Sequence, residues 1–219
     1  MKINTDGVLL GAIATVMNPG RVLDIGTGTG VIALMLAQRF INANVDAVEI
    51  DVSAAETAAK NFKNSIFNKR LLIMPNSIDT FFDEHPGDKY DLIISNPPFY
   101  LNSLESPKEK KTLAKHTDVD FFDMLMKGIA AHLSPKGLCW LILPVQAAVL
   151  IKELAMQNQL YRHKIITIRS FIHAEPHREI VCFGLDDVLT ETTNFTIYEA
   201  IGIYSDEYKK LLQPYFLNF

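Results

Sequence analysis

Short apolar runs alternate with amphipathic stretches along most of this chain. That is the arrangement of βαβ units, which builds a mostly parallel sheet with helices on its faces. Arg21 to Ile25, Val45 to Ile50, Leu71 to Met74 and Tyr90 to Ser95 read as the first four strands. The last of these is a continuous apolar run, as a central strand buried on both faces should be. Val31 to Phe40 and Ser53 to Asn64 read as helices, the second capped by Ser53. An earlier helix, capped by Thr5 or Asp6, runs through Val8, Leu9, Ala12 and Val16 and stops at Asn18-Pro19-Gly20. Phe99 to Asp118 is a polar, lysine-rich connection. At about twenty residues it is long enough to suggest a functional loop. A helix from Val119 to Leu133, a turn at Ser134-Pro135-Lys136-Gly137, a strand from Leu138 to Leu143 and a helix from Val145 to Gln157 follow. Tyr161 to Ile168 and Ile180 to Leu185 are late strands, Phe195 to Ile201 is a further candidate, and Ser205 to Tyr215 is a closing helix. No internal repeat interrupts this order, and residues 1–219 read as one domain.

Composition narrows the class. With 48% hydrophobic and 21% charged residues, the chain has the profile of an ordinary globular protein able to build a full core. The net charge of -4 gives no general attraction to nucleic acid, so any such site must be a local basic patch. Cys139 and Cys182 sit in apolar runs without metal or disulfide spacing and read as buried structural residues. The longest apolar run, Gly137 to Ile151, is interrupted by Pro144 and Gln146 and falls short of a membrane span. The polar start Asn4-Thr5-Asp6 does not read as a signal peptide. A cytoplasmic monomer, free of metal and membrane, is the expectation.

The first chemical signal is Val22-Leu23-Asp24-Ile25-Gly26-Thr27-Gly28-Thr29-Gly30. It joins a strand to a helix. Glycine permits close backbone approach to a ligand, and the helix N-terminus offers free N–H groups and a positive dipole end. The spacing is G-x-G-x-G, not the dinucleotide G-x-G-x-x-G, and no P-loop lysine follows. Asp24, Gly26, Thr27, Gly28 and Gly30 are therefore candidate cofactor-binding residues. Glu49 ends the second strand, 25 residues after Asp24. An ionised carboxylate there can accept from both hydroxyls of a ribose, with Ile50 flanking the base. Ser77 and Asp79 follow the third strand, where the methyltransferase resemblance drawn below implies a polar group against the same base; an exposed turn is the alternative.

The second signal is Asn96-Pro97-Pro98-Phe99, directly after the fourth strand. A rigid strand terminator accounts for the prolines but not for Asn96 and Phe99 beside them. An aromatic amino group is a poor nucleophile because its lone pair is delocalised into the ring. Two acceptors aimed at its hydrogens, the Asn96 side-chain carbonyl and the Pro97 backbone carbonyl, favour pyramidal geometry and free that pair. Phe99 can stack on the flat acceptor. The catalytic candidates are thus Asn96, Pro97, Pro98 and Phe99, with Asn96 also bordering the cofactor.

Both motifs carry a resemblance. Asp-x-Gly-x-Gly-x-Gly resembles motif I of the Rossmann-like class I methyltransferases, and Asn-Pro-Pro-Phe resembles motif IV of the amino methyltransferases. Thr5-Asp6-Gly7-Val8-Leu9-Leu10-Gly11-Ala12, Ala114-Lys115-His116-Thr117, Leu133-Ser134-Pro135-Lys136-Gly137 and the tail from Tyr204 to Leu217 are similar to the bacterial tRNA1(Val) adenine-N6 methyltransferase family. The resemblance implies an α/β fold with a mostly parallel seven-stranded sheet and helices on both faces. It implies S-adenosylmethionine as cofactor, wrapped at its methionine end by the glycine loop, and adenine N6 of a tRNA anticodon loop as acceptor. Lys115 stands where arginine is common in the family, keeping charge but losing the planar fork. Lys110, Lys111, Lys115, His116 and Arg178 are the candidate RNA contacts, within two basic groups, 108–116 and 162–178. A protein-glutamine N5 methyltransferase or a ribosomal-RNA guanine N2 methyltransferase is the enzyme alternative. A non-catalytic RNA-binding protein on the same scaffold is the alternative from another class.

Overall fold

The computed structural model describes residues 4–98 and 108–216, the side chains of 108–118 excepted. In chain order its elements are α1 (Thr5–Ile13), β1 (Arg21–Ile25), α2 (Val31–Arg39), β2 (Asn44–Val48), α3 (Val52–Asn64), β3 (Leu71–Met74), α4 (Ile78–Glu84), β4 (Tyr90–Ser95) and α5 (Lys108–His132). Then come β5 (Leu133–Pro144), α6 (Val145–Gln157), β6 (Tyr161–Arg169), β7 (Arg178–Gly184), β8 (Glu191–Thr196), β9 (Tyr198–Ala200), β10 (Ile203–Tyr204) and α7 (Asp206–Leu212). The main sheet has the order β3-β2-β1-β4-β5-β7-β6-β8. β7 runs antiparallel to both β5 and β6, and every other pairing is parallel.

Alternation across the pleat divides the core in two. Val22, Leu92, Trp140 and Ile142 face α1 and α2 through Leu9, Leu36 and their neighbours. Leu23, Ile93 and Leu141 face α4, α5 and α6 through Phe81, Phe122, Leu125 and Ile151. Both faces of the central strands are therefore dry, which is why β4 reads as an unbroken apolar run. No described helix is long and apolar enough to cross a membrane.

Several expectations change. The sheet has eight strands, because β8 adds in parallel to β6 over six residues, from Lys164↔Glu191 to Arg169↔Thr196. Its sequence, Glu-Thr-Thr-Asn-Phe-Thr, is polar because it is an edge strand with a solvated face. Asn4, not Thr5 or Asp6, caps α1, its side chain accepting from the Gly7 N–H at 2.7 Å. Asp51, not Ser53, caps α3 and accepts from Ala54 N–H. α5 begins at Lys108, so most of the supposed lysine-rich loop is helical. Leu133 is already strand, paired with Tyr90; the next pair is Leu92↔Leu138, so Ser134 to Gly137 bulge from the ladder.

The short helix α4 was not evident from the pattern. It places Phe81 and Phe82 in the core, and Phe82 stacks on His132 with ring centroids 4.5 Å apart. α5 crosses this pair at Gly128, where an added Cβ would lie 2.0 Å from Phe82 Cε2. Alanine ordinarily favours a helix interior over glycine. Here the overlap wins, because Phe82 is held between neighbours and overpacking costs typically 1–3 kcal/mol. Gly128→Ala should therefore lower stability by about 1–2 kcal/mol, read as a reduced denaturation midpoint in urea with an unchanged slope. An unchanged or raised midpoint would contradict this packing.

Candidate active site

Register brings the two sequence motifs together. β1 lies between β2 and β4, with Ile25 level with both Val48 and Ser95. The Ser95 hydroxyl donates to the Ile25 carbonyl at 2.8 Å. Residues 26–30, Glu49 and Asn96 thus leave adjacent strands at one carboxyl edge of the sheet. The order reverses between β1 and β4, the switch point at which open α/β sheets leave a crevice for ligands.

The glycine loop owes its shape to residue type. Gly26, Gly28 and Gly30 have φ of 69°, 59° and 86°, in the left-handed region that side chains with a Cβ avoid. The N–H groups of Gly26 and Thr27 both donate to Val48 O, at 2.8 and 3.1 Å. A Cβ on Gly26 would meet no protein atom within 4 Å, so this glycine borders open space. On Gly30 it would lie 2.5 Å from the Phe62 ring, so this glycine allows α2 to approach α3.

Two carboxylates flank the loop. Glu49 is buried and joins the loop to the end of β2: Gly28 N–H donates to Oε2 at 2.7 Å, and Asp51 N–H to Oε1 at 2.9 Å. Each oxygen retains a further lone pair. Asp24 is fully buried, and its Oδ2 accepts from the Thr27 hydroxyl at 2.6 Å. Its Oδ1 has no hydrogen-bond partner. Burial pushes the Asp24 carboxyl up to about 7, against the Thr27 hydroxyl and the Ala33 N–H; the Glu49 charge adds to the rise.

The remaining candidates fall in different places. Ile50 lies 72% exposed beside Glu49, an apolar side chain at the crevice rim. Ser77 is the N-cap of α4, and its hydroxyl bonds to the Thr80 hydroxyl at 2.8 Å. Asp79 points outward, with its carboxyl held below the usual range by the Ser77 hydroxyl. Pro97 is buried and Pro98 exposed. Phe99 lies outside the described residues. Lys110, Lys111, Lys115 and His116 belong to the first turns of α5, and their side chains lie outside the description. Arg178 opens β7 at the same sheet edge, and its Nε donates to Asp6 of α1 at 2.7 Å. The second basic group is divided. Arg162, His163 and Lys164 sit at the start of β6, on the opposite edge, with Lys164 paired to Glu191 at 2.9 Å. Asp6, read from the sequence as a helix-cap candidate, instead pairs with Arg178.

Solved methyltransferase structures share this architecture. A predicted O-methyltransferase from Agrobacterium tumefaciens superposes with a TM-score of 0.72 at 19% identity, covering 95% of this chain and 96% of that one. A methyltransferase from Pyrococcus furiosus gives 0.60 at 23% identity, covering 84% of each. Fold and switch-point crevice together match the Rossmann-like architecture of the class I methyltransferases. Residues 6–168 match the family model of the methyltransferase small domain. Over 219 residues, 100% of this chain, the sequence is 47% identical to the tRNA1(Val) (adenine(37)-N6)-methyltransferase of Pedobacter heparinus, spanning 92% of that protein. The enzyme of the same name from Bacteroides thetaiotaomicron is 37% identical, over 100% of this chain and 91% of its own length. The chain belongs to this family of S-adenosylmethionine-dependent methyltransferases.

Proposed function

We propose that this protein transfers a methyl group from S-adenosylmethionine to N6 of adenine 37 in the anticodon loop of tRNA1(Val), in the cytoplasm. The observation that carries this is the register that sets Asn96-Pro97 one strand away from the glycine loop. The features of the crevice fit the cofactor. The unpartnered Asp24 Oδ1 suits an ammonium group, the open space at Gly26 suits a close ligand, Glu49 retains acceptor capacity for ribose hydroxyls, and exposed Ile50 suits an adenine face. Ser77, whose hydroxyl caps α4, contributes through the placement of the helix start rather than through a free hydroxyl.

When bound, the cofactor supplies an electrophilic methyl group on a sulfonium. The Asn96 carbonyl oxygen and Pro97 carbonyl accept from the amino group of an adenine splayed from the loop, and Phe99 stacks on it. With the cofactor held there, the amino nitrogen would take its methyl group as the carbon–sulfur bond breaks, leaving the cofactor as a neutral thioether, and N6 would release one proton to solvent. The chain positions and polarises; Asn96 takes no proton. Lys110, Lys111, Lys115, His116 and Arg178 are assigned to the RNA side of the edge.

The test is methyl transfer from labelled cofactor to total tRNA of a strain lacking this gene, with nucleoside analysis. N6-methyladenosine in one valine tRNA is the expected product. Methyl incorporation into ribosomal RNA or a protein glutamine instead would overturn the substrate assignment.

A further inference from the structure

Arg178 and Asp6 meet where the sheet rises past the end of β4. Ser95 is level with Leu141 of β5, Leu141 with Val181 of β7, and Pro144 with Arg178, so Arg178 stands three residues further up. That is roughly 10 Å above the strand end that carries Asn96 and, two strands away, roughly 10 Å to its side. The Arg178 side chain lies on the α1 face, as the buried Ile180 and Cys182 of the same alternation do. There Nε donates to Asp6 at 2.7 Å and Nη1 to the His177 carbonyl at 2.9 Å. Among the described residues nothing accepts from Nη2, yet Arg178 has no buried unpartnered nitrogen, so this end of the guanidinium reaches solvent.

Holding the fold together does not account for the pair. α1 is secured without it. Leu9 and Leu10 are fully buried, Arg39 donates to the Gly11 and Ala12 carbonyls at 3.1 and 2.6 Å, and the Trp140 indole N–H donates to the Thr15 carbonyl at 2.9 Å. An ion pair with a quarter or more of each side chain in water adds little to stability. Helix capping does not need Asp6 either, since Asn4 supplies the cap. What the position offers is a firm base. Gly7 beside it is close-packed, an added Cβ lying 3.0 Å from Asn4 Oδ1 and 3.6 Å from Ile32 of α2. A fixed helix start thus carries the carboxylate that grips Nε.

An arginine gripped in this way is an oriented fork rather than a mobile cation. Together Asp6 and Arg178 are electrically neutral. Burial, and then the Arg178 charge, hold the neighbouring His177 imidazole below its ordinary value, favouring its neutral form. Glu179, the next residue, points to the opposite face and pairs with Lys152 at 2.8 Å. General attraction for a polyanion is therefore weak at this point, and direction is what the guanidinium supplies. Its planar N–H groups match phosphate oxygens in a way that a lysine ammonium does not. A few nucleotides, at about 3.4 Å per stacked step, span the separation between Arg178 and a base held at Asn96.

We propose that Asp6 is a positioning residue for RNA binding: it holds Arg178 so that the open end of the guanidinium meets a backbone phosphate a few nucleotides from the methylated adenine. This rests on the RNA reading of the site given above. The two roles open to Asp6 predict opposite signs. A bare negative charge beside RNA repels phosphate, so its removal strengthens binding. A carboxylate that orients a phosphate contact weakens binding when it is lost.

The experiment measures methyl transfer to an anticodon stem-loop RNA by wild type, Asp6→Asn, Arg178→Lys and the double variant. Cofactor affinity and the thermal midpoint are followed alongside. Asp6→Asn is nearly isosteric and should raise the stem-loop KM about fivefold, and Arg178→Lys about tenfold, the scale of one hydrogen bond to a charged group. kcat and cofactor affinity should be unchanged, the pattern of lost uniform binding. The double variant should be no worse than Arg178→Lys, because Asp6 acts only through Arg178. A lower stem-loop KM for Asp6→Asn overturns the proposal, and so does a lysine that serves as well as Arg178. An unchanged KM in both single variants, or cofactor affinity and midpoint falling together, also overturns it and leaves the pair a strut. If wild type does not methylate the stem-loop, the RNA reading itself fails, an outcome distinct from these because it involves no variant.

Discussion

Asn96→Ala should lower kcat by about two to three orders of magnitude, the scale of removing one preorganised polar contact from a transition state, while cofactor affinity changes less than tenfold. Asn96 is partly exposed at the end of β4, one peptide after Ser95, whose hydroxyl is bonded to β1. The backbone that carries the side chain is therefore fixed from two sides, by the ladder and by the buried Pro97. Truncation removes the acceptor without disturbing Gly26 to Gly30, which Val48 O and Glu49 hold. Asn96→Asp keeps an acceptor oxygen and should retain more activity than Asn96→Ala. Single-turnover methyl transfer and cofactor titration separate the two effects. If Asn96→Ala lost cofactor binding and turnover in equal measure, the residue would be a cofactor support rather than the acceptor's partner. If turnover were unchanged, the amino-group chemistry would fall.

What could be seen in the chain beforehand follows a physical division. β3, β4 and α6 have the bounds their apolar patterns imply, because buried parallel strands and amphipathic helices leave a local signature. The glycine loop and the Asn-Pro-Pro segment were legible for the same reason: both need particular residue types at consecutive positions. Features that depend on distant partners were not. That Ser77 caps α4 is one such feature, since the short helix after it has little apolar pattern of its own. Arg162, His163 and Lys164 share a basic run with Arg169 and Arg178, yet a nine-residue strand carries the two groups to opposite edges. Edge strand β8 lacks an apolar alternation because only its pairing with β6 makes it a strand. Asn4 and Asp51 cap helices where Thr5, Asp6 and Ser53 were equally eligible, since Asn, Asp, Ser and Thr serve alike and only the dihedral break decides.

Cofactor affinity should fall as pH drops below 7, about tenfold between pH 8 and pH 6, and Asp24→Asn should abolish that dependence. Asp24 is buried with one oxygen bonded to Thr27 and the other unpartnered, and burial raises its carboxyl to about 7. The charged neighbour facing it is Glu49, from the end of β2; α2 presents the Ala33 N–H and the loop the Thr27 hydroxyl. A cationic ammonium group favours the ionised carboxylate, so binding below pH 7 must first remove a proton. The sign for stability runs the other way in the free protein. A folded-state carboxyl raised above its unfolded value near 3.8 contributes stability below that value and loses it as pH climbs through 7. The penalty reaches at most about 4 kcal/mol, and cofactor binding offsets it. Asp24→Asn, neutral at every pH, should make the free protein more stable at pH 8 while binding the cofactor about a hundredfold more weakly, the cost of losing a buried charged partner. Calorimetric titration in buffers of different ionisation enthalpy reads the proton released on binding at pH 6.5 directly. A wild-type protein that releases none, or an Asp24→Asn variant with the same pH profile, would assign the dependence to another group and leave Asp24 a structural acid under the loop.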